Sequence, residues 1–180
     1  MSHATIRPAI HADAAAITRI YNQGIAERGA TFETEPRRVE DVARRIDEAA
    51  RYPLLVAIDR DAVIGWAGVG SYRARPCYAG IGEFSIYLDR DARGRGIGRQ
   101  LLDALVEAAA ARGYWKLVSR VFPFNAASRS LCRRCGFREV GVYEKHGRLD
   151  GRWLDVVIVE KLIPQNLTGD AAGASEEPGP

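Results

Sequence analysis

Residues 93–98 read Arg-Gly-Arg-Gly-Ile-Gly and run straight into an amphipathic segment. Leu101, Leu102, Leu105, Val106 and Ala109 form its apolar stripe, and Gly113 closes it. Glycines at a helix start cost backbone entropy, so a run of them implies a main chain that turns, or approaches something, in a way side chains would obstruct. The helix start also offers free N–H groups and the positive end of a dipole. Arg93, Arg95 and Arg99 add guanidinium forks. The combination suits a phosphate, most naturally a pyrophosphate, with a plain tight turn as the alternative. Two familiar phosphate motifs do not fit. A P-loop needs Lys followed by Ser or Thr after its last glycine, and none occurs here. A dinucleotide fingerprint counted from Gly94 meets Arg99, and counted from Gly96 meets Leu101, where the last glycine belongs.

The rest of the chain narrows the class of protein that could use such a turn. Its 180 residues suit one domain with a real core. It holds no apolar run long enough to cross a membrane, and "MSHATIRPAIHADAAA" has no signal-like apolar stretch, so a cytoplasmic protein without a membrane partner is expected. The formal net charge is +3, and Lys116, Lys145 and Lys161 are the only lysines among 26 basic residues. That excess is too small, and too poor in interleaved aromatics, for a nucleic-acid partner. Cys77, Cys132 and Cys135 are an odd set, which argues against a disulfide framework. Cys132-x-x-Cys135 lacks the second pair or histidine cluster that zinc needs, so buried thiols and no metal are expected.

Hydrophobic periodicity predicts the order β-α-α-β-β-β-α-β-α-β-β. The strands are Thr5 to Ala9, Leu54 to Ile58, Ala62 to Tyr72, Ile81 to Asp89, Trp115 to Phe122, Phe137 to His146 and Arg152 to Ile163. The first helix is capped by Asp13, the second starts at Val39, and the last is a short one ended by Gly136. Arg60-Asp61 reads as a hairpin turn, and "GRLDG" separates the last two strands. This order predicts an α/β (α+β) mixed sheet with helices on both faces. Residues 164–180, poor in apolar content, read as a disordered tail after a single domain spanning 4–163.

Arg93-x-x-Gly96-x-Gly98 after a strand and before a helix resembles the acetyl-CoA pyrophosphate motif of the GNAT N-acetyltransferase superfamily. The element order agrees from Thr5 to Ile163, and Asn125…Leu131…Gly136-Phe137 is a second mark. Within that superfamily, "TFETEP" (Thr31 to Pro36), "YRARPCY" (Tyr72 to Tyr78) and "GRWLDV" (Gly151 to Val156) resemble the phosphinothricin and arsinothricin N-acetyltransferases. The resemblance implies a mostly antiparallel sheet whose central parallel pair, Ile81–Asp89 and Trp115–Phe122, splays apart to admit the pantetheine arm of acetyl-CoA. It implies that Ser85, Ile86, Tyr87 and Leu88 hold that arm, that Arg93, Gly94, Arg95, Gly96, Ile97 and Gly98 hold the pyrophosphate, and that Asn125 and Ser128 assist. Asn125 reads equally well as a helix N-cap. A homodimer, with the C-terminal strands near the contact, is a further implication.

Glu83 is the expected general base: it alternates with Ser85 and Tyr87 on an otherwise apolar strand, where partial desolvation would suit proton abstraction. It also matches the family's catalytic glutamate. Arg73 and Arg75, two residues apart, would point to one face at a strand end and, with Tyr78, grip an acidic acceptor. Phe32 either closes the acceptor site or belongs to the core. Cys132 stands where relatives carry a Tyr or His as general acid, so that role is left open. The expected reaction moves acetyl from acetyl-CoA to the α-amine of a phosphinothricin- or arsinothricin-like amino acid, a detoxification or resistance activity. The alternatives are another small-molecule amine, a polyamine, an antibiotic or a protein N-terminus as acceptor, or a non-catalytic acyl-CoA-binding domain.

Overall fold

A computed structural model describes residues 4–167. Seven strands form one sheet: β1 (Thr5–Pro8), β2 (Leu54–Asp59), β3 (Ala62–Ser71), β4 (Ile81–Leu88), β5 (Lys116–Val121), β6 (Arg138–Leu149) and β7 (Arg152–Leu162). Their spatial order is β1-β2-β3-β4-β5-β7-β6, and every neighbouring pair is antiparallel except β4 and β5. The helices are α1 (Ala14–Ala26), α2 (Val39–Asp47), α3 (Ile97–Ala110) and α4 (Ala126–Arg134). The predicted element order and mixed sheet are those observed.

The strands read as runs of apolar residues because both faces of the sheet are covered. Leu54, Val56 and Trp66 face α1 and α2, packing with Ile17, Ile20, Val42 and Ile46. The alternate residues Leu55, Ala57, Ala67 and Val69 face the other way, onto Leu101, Leu102 and Leu105 of α3. Among the described residues no helix is long and apolar enough to cross a membrane.

Several local expectations are corrected. Asp13 makes no side-chain cap to α1; its carboxylate turns back to the Ile10 N–H at 2.8 Å and to both terminal nitrogens of Arg7. The "GRLDG" loop is shorter than expected, because β6 runs through to Leu149 and only Asp150 and Gly151, both at positive φ, make the turn. Within the stretch expected as tail, Pro164–Asn166 form a 3-10 turn, and the Asn166 amide donates to the carbonyls of Ala110, the last residue of α3, and Tyr114. The rest of the expected tail, 168–180, lies outside the described residues.

Two positions fix the centre of the sheet. The Trp115 N–H donates to the Gly80 carbonyl at 2.8 Å, and a Cβ on Gly80 would lie 2.0 Å from the Trp115 ring. From that pinch, β4 and β5 pair only over Ile81–Glu83 and Lys116–Val118. Beyond Glu83 they part, while β3 continues to pair with β4 out to Leu88.

Candidate active site

The divergence of β4 and β5 opens a cavity of about 310 Å³. Glu83, Ser85, Ile86 and Tyr87 line it from β4, Ser119 and Arg120 from β5, and Asn125, Ser128 and Cys132 from α4 and its N-cap. A second cavity of about 510 Å³ lies against α1, α2 and the end of β3, with Arg37, Asp41, Arg45, Trp66, Gly70 and Ser71 in its wall. Tyr21, Glu33, Glu83 and Ser85 line both. Glu83, the last residue of β4 paired with β5, therefore stands where the two spaces meet.

The Glu83 carboxylate has an ion-pair partner on the neighbouring strand. Arg120 of β5 donates to it at 2.9 Å, and both side chains remain partly exposed. An ion pair so open to water is weak, on the order of 1 kcal/mol or less, and can be exchanged for a ligand. Arg120 was missed in the sequence reading. A charge set between Leu117-Val118-Ser119 and Val121-Phe122 was the available signal.

Among the described residues, the edge of β4 turned toward β5 has no strand partner from Ser85 to Leu88. The Leu88 carbonyl accepts instead from the Arg93 guanidinium, at 3.3 and 3.4 Å. The glycine run splits into two kinds of position. Gly94 and Gly96 sit at φ 76° and 83°, with nothing within 4 Å of where a Cβ would stand. They supply a left-handed backbone with open space before it. Gly98 is different: it is buried in the first turn of α3, and its Cβ would press on Leu131 at 3.3 Å and Leu88 at 3.4 Å. Its surroundings are set by packing as well as by the turn, unlike the open positions 94 and 96. Gly96 is the N-cap of α3 and offers no side-chain cap, which leaves the Ile97 and Gly98 N–H groups at the helix start without one.

The arginines of the run each face an acid: Arg93 pairs with Glu27 at 2.8 Å, Arg95 with Asp59 at 2.5 Å, and Arg99 with Asp103 at 3.5 Å. All three pairs are partly exposed.

Asn125 is the N-cap of α4, its oxygen accepting from the Ser128 N–H, and its amide donates to the Gly29 carbonyl, both at 3.0 Å. The cap and the cavity wall are thus one residue. Cys132 also lines the first cavity yet is buried, and burial pushes its thiol up to about 11. Cys135 is buried too, and burial pushes it to about 12. No group of three or more metal-ligating side chains occurs among the described residues.

Phe32 lines the first cavity and packs edge-on against Phe122, with ring centroids 4.9 Å apart, so it serves wall and core together. Arg73, Arg75 and Tyr78 are placed differently from the expectation. β3 ends at Ser71, and Arg73 and Arg75 are exposed on the loop beyond it. Pro76, which cannot donate to a ladder, starts a 3-10 turn there. Arg73 lies over the Tyr72 ring, which meets Tyr78 edge-on. None of the three lines either cavity, although the loop leaves from Ser71 at the wall of the second.

A family profile described as "Acetyltransferase (GNAT) domain" matches residues 6–158. The L-methionine sulfoximine/L-methionine sulfone acetyltransferase of Pseudomonas aeruginosa is 39% identical over 163 residues, 87% of this chain and 93% of that one. The phosphinothricin N-acetyltransferase of Streptomyces coelicolor is 36% identical over 163 residues, 88% of this chain and 95% of its own length. Among solved structures, a phosphinothricin acetyltransferase from Sinorhizobium meliloti in complex with acetyl-CoA superposes with a TM-score of 0.84 at 36% identity, covering 91% of this chain and 89% of that one.

Proposed function

The chain belongs to the GNAT acetyltransferase family, with acetyl-CoA as acetyl donor, and from that premise we propose that it acetylates the α-amine of an amino-acid analogue of the phosphinothricin or methionine sulfoximine kind. Arsinothricin, with an acidic group in the same role, falls in the proposed acceptor class. The observation that carries the reading is the meeting of two cavities at Glu83, where β4 leaves β5. One space suits the donor's arm and the other the acceptor, with a carboxylate between them.

The unpaired edge from Ser85 to Leu88 takes the pantetheine arm as an added strand, and one of its N–H groups polarises the thioester carbonyl. The left-handed backbone at Gly94 and Gly96 and the N–H groups of Ile97 and Gly98 hold the pyrophosphate, while Arg93 and Arg95 exchange their acidic partners for it. Asn125 and Ser128 border the arm at the start of α4. Glu83 takes the proton of the acceptor ammonium, through water, while Arg120 is its partner in the resting site. Arg73 and Arg75, with Tyr78, extend from the rim beyond Ser71 and hold the far end of the acceptor; Phe32 packs beside it. Cys132 does not serve as general acid. A thiol held at about 11 is a weaker acid than the thiol it would protonate, ordinarily about 8.5, so transfer would run uphill. The thiolate departs without a proton from Cys132 and takes one from hydronium or buffer acid in the solvent after release.

The proposal extends to a homodimer through the β6–β7 edge, where Val140, Val142, Tyr143 and Trp153 are all about half exposed. Light scattering at micromolar concentration reads this directly, and a monomer there contradicts it. Three unpaired cysteines support a cytoplasmic setting, and the acceptor class supports a detoxification role. Secretion of the native protein, shown by fractionation, would contradict that setting. The activity is tested by acetyl-CoA-dependent thiol release with phosphinothricin, methionine sulfoximine, a polyamine and a peptide with a free N-terminus. Turnover led by the first two is the expected result. Turnover led by the peptide or polyamine overturns the acceptor class.

A further inference from the structure

The second cavity carries a cation that the sequence reading did not single out. Arg45, on the last turn of α2, lines it together with Trp66 and Glu83. Its guanidinium lies 5.2 Å from the centre of the Trp66 ring. No carboxylate lies within ion-pair distance of it among the described residues, unlike Arg37 in the same wall, which Glu33 binds through both oxygens. Burial pulls the Arg45 guanidinium below its ordinary value. A guanidinium presents five N–H donors, and a ring face satisfies them poorly. Beside it, the Trp66 Nε1–H is buried with no hydrogen-bond partner. Buried donors without acceptors are rare in folded proteins and call for an explanation. What Arg45 and Trp66 lack is an acceptor group within reach.

The acceptor proposed above has such a group. Its α-amine and α-carboxylate hang on one carbon, so a site that takes the amine to Glu83 must house the carboxylate close by. Arg73 and Arg75 stand on an exposed loop beyond the rim and line neither cavity, which leaves Arg45 as the cation inside that is not already matched to an acid. We propose that Arg45 binds the α-carboxylate of the acceptor amino acid, stacked on Trp66, in the cavity that Glu83 also lines. The proposal rests on the amino-acid reading of the acceptor. It divides the acceptor's recognition between two places: Arg45 reads the backbone carboxylate common to all amino acids, and the loop beyond Ser71 reads the side chain that differs among them.

The test compares L-methionine sulfone with its α-carboxamide, which keeps the amine and side chain but loses the charge. Acid and amide share one side chain, so any contribution of Arg73 and Arg75 cancels in the comparison. Wild-type protein is expected to show a KM about tenfold or more lower for the acid than for the amide, the size of a charge-assisted pair. Arg45→Met, which keeps an apolar stem over Trp66, is expected to raise KM for the acid by about tenfold while leaving KM for the amide and the acetyl-CoA dissociation constant within about twofold. Arg45→Lys, with charge but no fork, is expected to fall between the two. If Arg45→Met does not fold, the acid-to-amide ratio of Arg45→Lys decides on the same criterion. A wild type that turns over the amide as readily as the acid overturns the carboxylate site together with the proposed acceptor class. A wild-type preference for the acid that survives both substitutions overturns the assignment of Arg45 alone.

Discussion

Strand β4 is two structures in one. From Ile81 to Glu83 it is hydrogen-bonded on both edges, to β3 and to β5. Gly82 there is packed so closely that a Cβ would lie 2.3 Å from Val69 Cγ1, and its partner Leu117 is fully buried. From Ser85 to Leu88 the same strand keeps β3 but has lost β5, and its free edge faces a cavity. The closed half holds the sheet together, and the open half leaves main-chain groups for a ligand to satisfy. Glu83 belongs to both. A catalytic group gains from that position, since its backbone is fixed by the closed half while its side chain reaches the open one.

The largest expected effect lies in the closed half. Leu117→Ala removes a fully buried side chain and should cost about 2–5 kcal/mol in a denaturant titration, while acetyl-CoA binding by the folded fraction changes less than about threefold. Loss of binding in step with stability would mean that the two halves are not separable. Next comes the glycine run. Gly96→Val places a branched residue at φ 83° where the ligand is proposed to sit, and should raise the acetyl-CoA dissociation constant by tenfold or more, about 1.4 kcal/mol, by calorimetry. Gly98→Ala meets Leu131 and Leu88 only at 3.3–3.4 Å and gains helix propensity, so its effect on stability and affinity should stay within about 0.5 kcal/mol. Equal effects at 96 and 98 would erase the distinction between turn and packing.

The smallest effects concern the thiols. Cys77 is exposed, whereas Cys132 lies buried at the floor of the open half. One thiol per chain should react promptly with a disulfide reagent at pH 8, and three after denaturation. Prompt reaction of Cys132 would show the open half to be wetter than it looks. Burial holds both Cys132 and Cys135 above their ordinary value, so the folded chain keeps protons that the unfolded chain releases. Their contribution to stability is complete below the ordinary thiol range and is lost as pH climbs from there toward about 11–12.

How much of this was legible in the sequence follows from the range of the signal. Element order was, because apolar periodicity is local: Leu101, Leu102 and Leu105 announce a helix wherever they sit. The placement of β7 between β5 and β6 was not, since strand order is set by contacts remote in the chain. Glu83 stood out as a charge in an apolar strand, yet its partner Arg120 is 37 positions away and meets it only through the parallel register. Gly94, Gly96 and Gly98 look alike as letters; backbone angle and neighbours separate them. Arg73 and Arg75 drew attention by their spacing, while Arg45, one of two adjacent arginines on an amphipathic helix, gave no local sign of the ring beneath it.

The central claim is that Glu83, at the junction of the two halves, takes a proton from an amino-acid ammonium. The direct measurement is the pH profile of kcat for phosphinothricin acetylation by wild-type and Glu83→Gln protein. The account predicts a loss of about a hundredfold or more in kcat near neutral pH, shrinking as rising pH supplies free amine, with acetyl-CoA affinity and melting temperature nearly unchanged. A Glu83→Gln protein with wild-type kcat across that range would contradict it, and Glu83 would then be no more than the exposed partner of Arg120.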